Sequence, residues 1–177
     1  MPQYNVIVVG GGFAGMSAAL AARDKGASVA IVSKLHPLRS QSSGAHSGIN
    51  AALIGDNAWQ SHALDTIKAG AYLSDQDIVT NLCKEARDHV INIEHMGVPF
   101  DRNEEGRIIQ TRFAGSTEPR TCYCNDSSGH NILQVLFEQT LRSEIPLFHE
   151  WMATSLIMSD GNCKGVFARN LKDGKLE

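Results

Sequence analysis

The stretch that decides the fold runs from Asn5 to Gly15 and reads Asn-Val-Ile-Val-Val-Gly-Gly-Gly-Phe-Ala-Gly. Its β-branched start, Asn5 to Val9, predicts a strand buried on both faces of a parallel sheet. Residues 13–25 are rich in Ala, Leu and Met and predict a helix that closes at Gly26. A second strand is predicted over Ser28 to Ser33. Strand, glycine turn, helix and strand in this order open a doubly wound α/β fold.

The glycines within this stretch match the G-x-G-x-x-G pattern between a strand and a helix. Gly10 permits the tight turn, Gly12 leaves room for a pyrophosphate, and Gly15 lets the helix pack close to the strand. The helix N-terminus presents free N–H groups and a positive dipole end to phosphates. The pattern therefore predicts a dinucleotide site. The Asp or Glu expected at the end of the second strand to bind a ribose is absent, because Ser33 and Lys34 stand there, and this argues against NAD.

Composition excludes several classes of protein. The chain has 177 residues, with 16 Lys plus Arg against 19 Asp plus Glu and a net charge of -3. It has no basic cluster, so we expect no nucleic-acid partner. No apolar run is long enough for a membrane span, and the N-terminus lacks a secretory signal, so we expect a soluble, cytoplasmic protein. The four cysteines do not form a disulfide framework, and Cys122 and Cys124 lack metal-pair spacing, so we expect partly buried, reduced thiols and no metal.

The rest of the chain continues the α/β pattern, with an added β-hairpin region. A loop rich in serine and glycine is predicted over residues 35–48, helices over 78–93 and 129–144, a hairpin over 100–111, and strands over 147–158 and 163–170. The apolar face of the first of these helices comprises Ile78, Leu82, Ala86, Val90 and Ile93. The last residues sit in a turn, so we expect the last strand to lack a partner and the sequence to be a truncated part of a longer domain.

Short motifs then occur in order along the whole chain: Val32-Ser33-Lys34, Pro37-Leu38-Arg39-Ser40, Gly97-Val98-Pro99-Phe100, Arg112-Phe113-Ala114-Gly115, Arg120-Thr121, Asp126-Ser127-Ser128-Gly129-His130 and Glu150-Trp151-Met152-Ala153. With these motifs the chain resembles the flavoprotein subunit of succinate dehydrogenase and fumarate reductase. The resemblance implies a Rossmann-like FAD-binding domain with a central parallel sheet. Residues 1–177 would form its N-terminal part, with no separate second domain completed.

The resemblance also implies which residues bind FAD. The glycine turn would hold the pyrophosphate, the end of the second strand would lie by the adenosine ribose, the loop from Ser40 to Gly48 would wrap the flavin, and a later strand would contact the adenine by its backbone. The residues carried over are Gly10, Gly11, Gly12, Phe13, Ala14, Gly15, Val32, Ser33, Lys34, Ser40, Gln41, Ser42, Ala45, His46, Gly48, Trp151, Met152 and Ala153.

One departure from the family concerns the flavin linkage. Respiratory members carry Arg-Ser-His, whose histidine is bonded to the flavin 8α-carbon, whereas this chain has Arg39-Ser40-Gln41. A glutamine amide is no nucleophile for that bond. We therefore expect non-covalent FAD, as in the related L-aspartate oxidases and soluble fumarate reductases.

Two residues are predicted to lie near a substrate. His46 stands where the family usually has Gln or Glu facing the flavin and substrate. It could hydrogen-bond the isoalloxazine or a dicarboxylate, or be a packed polar residue. Phe113 matches a segment that closes over the substrate. The family's proton-donating Arg and dicarboxylate clamp would lie beyond position 177, so no catalytic residue is assigned.

The function implied by the resemblance is interconversion of succinate and fumarate, or a similar dicarboxylate, by hydride transfer at flavin N5. The partners implied are an iron–sulfur subunit and a membrane anchor subunit, which could hold the protein at the inner face of the cytoplasmic membrane. Two alternatives stay open: an L-aspartate oxidase-like flavoenzyme, and a catalytically incompetent FAD-binding fragment.

Overall fold

The computed structural model describes residues 2–55 and 58–177. The chain divides into two compact units. The first unit comprises the chain up to Ser43 together with Ile132–Glu177, and the second comprises Gly44–Asn131. The prediction that residues 1–177 form one incomplete domain stays a prediction.

A three-stranded parallel sheet forms the core of the first unit. Strand β1 (Val6–Val9) leads through helix α1 (Phe13–Asp24) to β2 (Val29–Ser33), and β5 (Leu147–His149) pairs on the other side of β2. The register aligns Val8 with Ile31 and Ile31 with Leu147. The predicted strand, glycine turn, helix and strand are confirmed, and with them the α/β class.

The two strands predicted from the N-terminal pattern differ in burial. All five residues of β2 are buried, as a central strand requires. In β1, however, Ile7 and Val9 are 36% and 57% exposed. The prediction that β1 is buried on both faces is wrong, because Ile7 and Val9 alternate with the half-buried Val6 and Val8 and lie on one face of the sheet that is left open to solvent.

An antiparallel hairpin, β6 (Trp151–Ser159) and β7 (Asn162–Asn170), completes the first unit. The sequence predicts one strand from Leu147 to Met158. The chain instead breaks at Glu150, whose φ of 62° is incompatible with a strand, so β5 joins the parallel sheet and β6 the hairpin. The last residues also pair with β7, since Ala168 and Glu177 exchange two backbone hydrogen bonds. The expectation of an unpartnered last strand is therefore wrong.

Helices α2 (Ala58–Ala69) and α3 (Gln76–His95) pack together in the second unit, beside a short ladder of β3 (Ile49–Asn50) and β4 (Thr121–Cys122). On α3 the predicted apolar face is only partly buried. Ala86 and Val90 are buried together with Cys83, whereas Ile78 and Leu82 are more than half exposed.

The structure confirms one further predicted helix and modifies the predicted loop and the predicted hairpin. Helix α4 (Ser128–Arg142) forms where predicted. The loop of residues 35–48 contains two short 3₁₀ turns, Pro37–Arg39 and Gln41–Gly44. The hairpin of residues 100–111 reduces to a turn closed by one bridge between Arg102 and Ile108. Among the helices described, none is both long and apolar enough to cross a membrane.

Candidate cofactor site

The glycine turn joins β1 to α1 by direct backbone packing. Gly10 adopts a φ of 115°, which favours glycine, and its N–H donates to the carbonyl of Val32 at 2.8 Å. A Cβ on Gly15 would overlap the Gly10 carbonyl oxygen and would also contact the Val8 side chain. Gly10 and Gly15 therefore play the steric roles predicted for them.

Helix α1 begins with N–H groups that its own N-cap does not satisfy. The residue before the helix is Gly12, which has no side chain to accept a hydrogen bond. The N–H of Phe13 donates to Ser42 Oγ across a long 3.4 Å. Such a helix start offers backbone donors and a positive dipole end to an anion.

Ser40 and Ser42 face this helix start. A Cβ built on Gly12 would stand 3.1 Å from Ser42 Oγ and 3.9 Å from Ser40 Oγ. The Ser40 hydroxyl is buried and has no hydrogen-bond partner among the described residues. The absent side chain of Gly12 thus leaves a cradle edged by two serine hydroxyls and backbone N–H groups. These groups fit a pyrophosphate, which accepts hydrogen bonds and carries negative charge.

At the end of β2, Ser33 is only 7% exposed. A Cβ on Gly11 would meet Ser33 Oγ at 3.0 Å, so the hydroxyl lies against the glycine turn. Val32 is buried beside it and Lys34 is exposed. Gln41, the residue at the linking position, is exposed as well. A ribose contact by Ser33 stays a prediction.

Two histidines lie near the carboxyl ends of β2 and β5, and neither is among the residues predicted to bind the cofactor or the substrate. His149 pairs in register with Ser33. The ring of His36 packs edge-on against those of His149 and Phe137, at centroid distances of 5.3 and 5.1 Å. Burial, together with His149 and the nearby Arg39, lowers the pKa of His36. The only sequence signal for His149 was its position directly before the Glu150-Trp151 motif.

The predicted adenine-contacting residues lie at the start of β6. Met152 pairs with Arg169 and Ala153 with Ala168 across the hairpin. The Trp151 ring packs edge-on against Phe148 at 6.4 Å. Trp151, Met152 and Ala153 are all half-buried. Their backbone contact to the adenine stays a prediction.

In the second unit, the predicted flavin loop is tied to the chain near Asp126. The carbonyl of Ala45 accepts a hydrogen bond from the N–H of Gly129 at 2.6 Å. Nδ1 of His46 lies 2.8 Å from the carbonyl of Asp126. Because a carbonyl only accepts, Nδ1 is the donor, and Nε2 of the neutral ring is left as an acceptor.

Gly48 and Phe113 are also in the second unit. Gly48 has a φ of 98°, and a Cβ there would overlap the Cys122 carbonyl oxygen, so the position requires glycine. Phe113 is 45% exposed in a turn in which its carbonyl accepts from the N–H of Ser116. The structure thus groups Ser40 and Ser42 with the glycine turn in the first unit, and places His46 and Phe113 in the second.

The cysteine thiols are free, and three of the four are buried. Burial raises the pKa of Cys122 to about 12 and that of Cys124 to about 11, so both stay protonated at neutral pH. Only Cys163 is exposed. Across residues 2–55 and 58–177, no group of three or more His, Cys, Asp or Glu side chains could hold a metal ion.

Comparison with known proteins defines the class. A family profile described as FAD binding domain matches residues 5–177. The chain belongs to this FAD-binding domain family, which agrees with the glycine turn and the cradle beside it.

The more particular likeness is to succinate dehydrogenase and fumarate reductase flavoproteins. The chain is 43% identical to the succinate dehydrogenase flavoprotein subunit of Rickettsia bellii, covering 98% of this chain and 31% of that protein. It is 37% identical to the fumarate reductase flavoprotein subunit of Mycobacterium tuberculosis, covering 99% and 30%. A structure of E. coli quinol fumarate reductase superposes with a TM-score of 0.93 at 30% identity, covering 99% and 30%. The predicted resemblance is confirmed, and the chain spans about 30% of the length of these relatives.

Proposed function

We propose that the protein binds FAD non-covalently and interconverts succinate and fumarate, or a similar dicarboxylate. The observation that carries the cofactor assignment is the cradle at the start of α1, where Gly12 faces the buried hydroxyl of Ser40, which has no hydrogen-bond partner in the described part of the chain. FAD would supply the redox chemistry, and this chain would bind and orient it.

The residue at the linking position supports the non-covalent state. Gln41 is exposed at the start of the second 3₁₀ turn, and its amide cannot form the bond that a histidine forms in respiratory relatives. We therefore expect the cofactor to leave intact when the protein is denatured.

The substrate class is supported by the likeness to succinate dehydrogenase and fumarate reductase subunits and by two residues of the second unit. With Nδ1 on the Asp126 carbonyl, Nε2 of His46 can accept a hydrogen bond when the ring is neutral and donate one when it is protonated. Phe113 keeps an exposed ring on a short turn. We assign His46 to the flavin or the dicarboxylate, and Phe113 to the dicarboxylate.

The relatives also suggest the partners. We propose that the protein is the flavoprotein subunit of an electron-transfer complex with an iron–sulfur subunit and a membrane anchor subunit. Residues 1–177 would be the N-terminal part of its FAD-binding domain. Through those partners it would lie at the inner face of the cytoplasmic membrane.

A second candidate is an L-aspartate oxidase-like flavoenzyme. Gln41 favours it over the respiratory members, because L-aspartate oxidases also lack the linking histidine. The two candidates differ in substrate and in electron acceptor. The first candidate would reduce fumarate efficiently with a reduced viologen as electron donor. The second candidate would oxidise L-aspartate with oxygen as electron acceptor.

The test begins with the cofactor and continues with turnover. Purified intact protein is denatured and the released chromophore is separated by chromatography. We expect FAD; release of FMN, or no flavin after reconstitution, would contradict the assignment. The loaded protein is then assayed with fumarate, succinate and L-aspartate. Turnover of L-aspartate alone would establish the second candidate, and turnover of none would leave an FAD-binding protein without this activity.

A further inference from the structure

We propose that Asp65 and Arg120 form a positioning pair that fixes the predicted flavin loop and the predicted substrate segment relative to each other. The inference rests on the proposed function. Every contact that carries it lies within the second unit, and neither residue has been assigned to the cofactor or the substrate.

The backbone of Arg120 joins the two segments directly. Its carbonyl accepts from the N–H of Ala51 at 2.8 Å, three residues after Gly48 of the flavin loop. Its N–H donates to the carbonyl of Thr111 at 3.1 Å, two residues before Phe113. Any shift of Arg120 would therefore move the exit of the flavin loop and the start of the Phe113 turn together.

The side chain of Arg120 is held by helix α2. Its guanidinium is 2% exposed and donates to Asp65 Oδ2 at 2.7 Å and to Ser61 Oγ at 3.1 Å. Asp65 is itself 9% exposed. A charge pair so removed from water is sensitive to geometry, since either partner left alone would be a buried, uncompensated charge.

Asp65 also holds the far end of the Phe113 turn. The N–H and the hydroxyl of Thr117 both donate to Asp65 Oδ2, each at 2.7 Å. The turn that carries Phe113 is thus anchored at Thr111 by the Arg120 backbone and at Thr117 by the Asp65 carboxylate. One carboxylate oxygen receives three donors, so it fixes both ends of the turn.

The surroundings leave few other ways to hold Arg120 in place. Its Nε is buried without a hydrogen-bond partner among the described residues, and so is Nδ1 of His62 on α2. Burial lowers the pKa of His62, and the charge of Arg120 adds to this effect, so His62 stays neutral beside the guanidinium. Because a neutral His62 adds no second positive charge, the single Asp65 carboxylate balances the charge of the Arg120 guanidinium.

The experiment compares four variants of the intact protein reconstituted with FAD. Asp65→Asn removes the charge with little change of shape, Asp65→Glu restores it, and Thr117→Val removes one hydroxyl donor. The control is Glu94→Gln, which breaks an ion pair with Arg102 that is half exposed on the arginine side. The readouts are the visible circular dichroism of bound FAD, its dissociation constant, KM and kcat for fumarate, and Tm.

We expect Asp65→Asn to raise KM for fumarate at least tenfold and to change the dichroism of the bound flavin. Thr117→Val should raise KM about threefold, Asp65→Glu should recover most of the loss, and Glu94→Gln should match the wild type. If the folded variants show a lowered Tm but an unchanged KM and an unchanged flavin dichroism, the proposal is overturned and the pair has a purely structural role. If Asp65→Asn fails to fold, the KM, flavin dichroism and Tm of Thr117→Val test the proposal in the same way.

Failure of the proposed function would look different. A wild-type protein that binds no FAD or does not turn over fumarate would overturn both proposals at once. A wild type that does both, with variants changed only in Tm, would overturn the positioning role alone.

Discussion

The carbonyl oxygen of Gly10 occupies the space into which a side chain on Gly15 would project. The two glycines therefore meet backbone to backbone, and this contact sets how closely α1 approaches β1. At the same helix start, the N–H of Phe13 lies beside Ser42 Oγ.

Replacing Gly15 tests this contact. Gly15→Ala should destabilise the protein by about 3 kcal/mol, the upper end for overpacking, because its Cβ would overlap main-chain atoms that cannot rotate away. Denaturant unfolding would measure the change. Gly165→Ala is the matched control, since its Cβ would meet only the end of the Ile157 side chain at an ordinary 3.5 Å. Equal stability losses in the two variants would contradict the prediction.

Replacing Gly12 tests the cradle. Gly12→Val should weaken FAD binding at least a hundredfold, because the branched side chain would fill the space next to Ser40 and Ser42. Titration of apoprotein with FAD, followed by flavin fluorescence, gives the dissociation constant, and Gly165→Ala again serves as the control. Unimpaired binding by a folded Gly12→Val protein would place the pyrophosphate elsewhere.

The flavin linkage can be tested by acid precipitation. Because Gln41 stands at the linking position, the supernatant should contain all of the FAD and the pellet none. Yellow fluorescence retained by the protein band on a denaturing gel would show a covalent bond. In that event His46→Ala and His36→Ala would identify the linking ring.

The direction of the reaction should be biased toward fumarate reduction. A histidyl bond at the flavin 8α-carbon raises the flavin potential in the resembled family, so its absence should leave FAD more reducing. Each 30 mV in a two-electron couple changes the equilibrium constant about tenfold. Rates with reduced viologen plus fumarate are compared with rates for succinate plus an artificial acceptor. Faster succinate oxidation would count against the argument, and Gln41→His would then change little.

Stability should fall in acid because of Asp65. Burial alone would raise the pKa of this carboxyl, but the hydrogen bonds from Thr117 and Arg120, with the charge of Arg120, outweigh burial and lower the pKa to about 2. The ionised folded form is favoured over an unfolded chain whose Asp titrates at 3.8. The stabilisation, about 2 kcal/mol, is therefore complete above about pH 5 and is lost as the pH falls through the folded pKa of about 2.

Urea unfolding between pH 2 and 6 measures this loss. Asp65→Asn should flatten the acid limb of the stability curve and lower its plateau. Replacing the exposed Asp24 with Asn should leave the curve as in the wild type. An acid limb that survives in Asp65→Asn would assign the loss to other carboxyl groups.

Sequence patterns predicted the elements that depend on residues close together in the chain. The glycine turn could be identified because its roles depend on missing side chains within six residues, Gly10 to Gly15. Helices α3 and α4 followed from the periodicity of apolar residues, and α1 from its helix-forming Ala, Leu and Met. Burial was harder to predict: Ile78 and Leu82 match the apolar period of α3 but are exposed, because periodicity marks a face without showing how much of it is covered.

The sequence by itself determined the α/β class, the helix start that suits a pyrophosphate, and the absence of a linking histidine at Gln41. Only the tertiary structure decided that Ser40 and Ser42 face Gly12, that His149 lies beside His36, and that Asp65 holds Arg120. The last two partners are 55 residues apart in the chain. Such pairs are set by how strands and helices pack, and no local propensity encodes which distant carboxylate a buried guanidinium will meet.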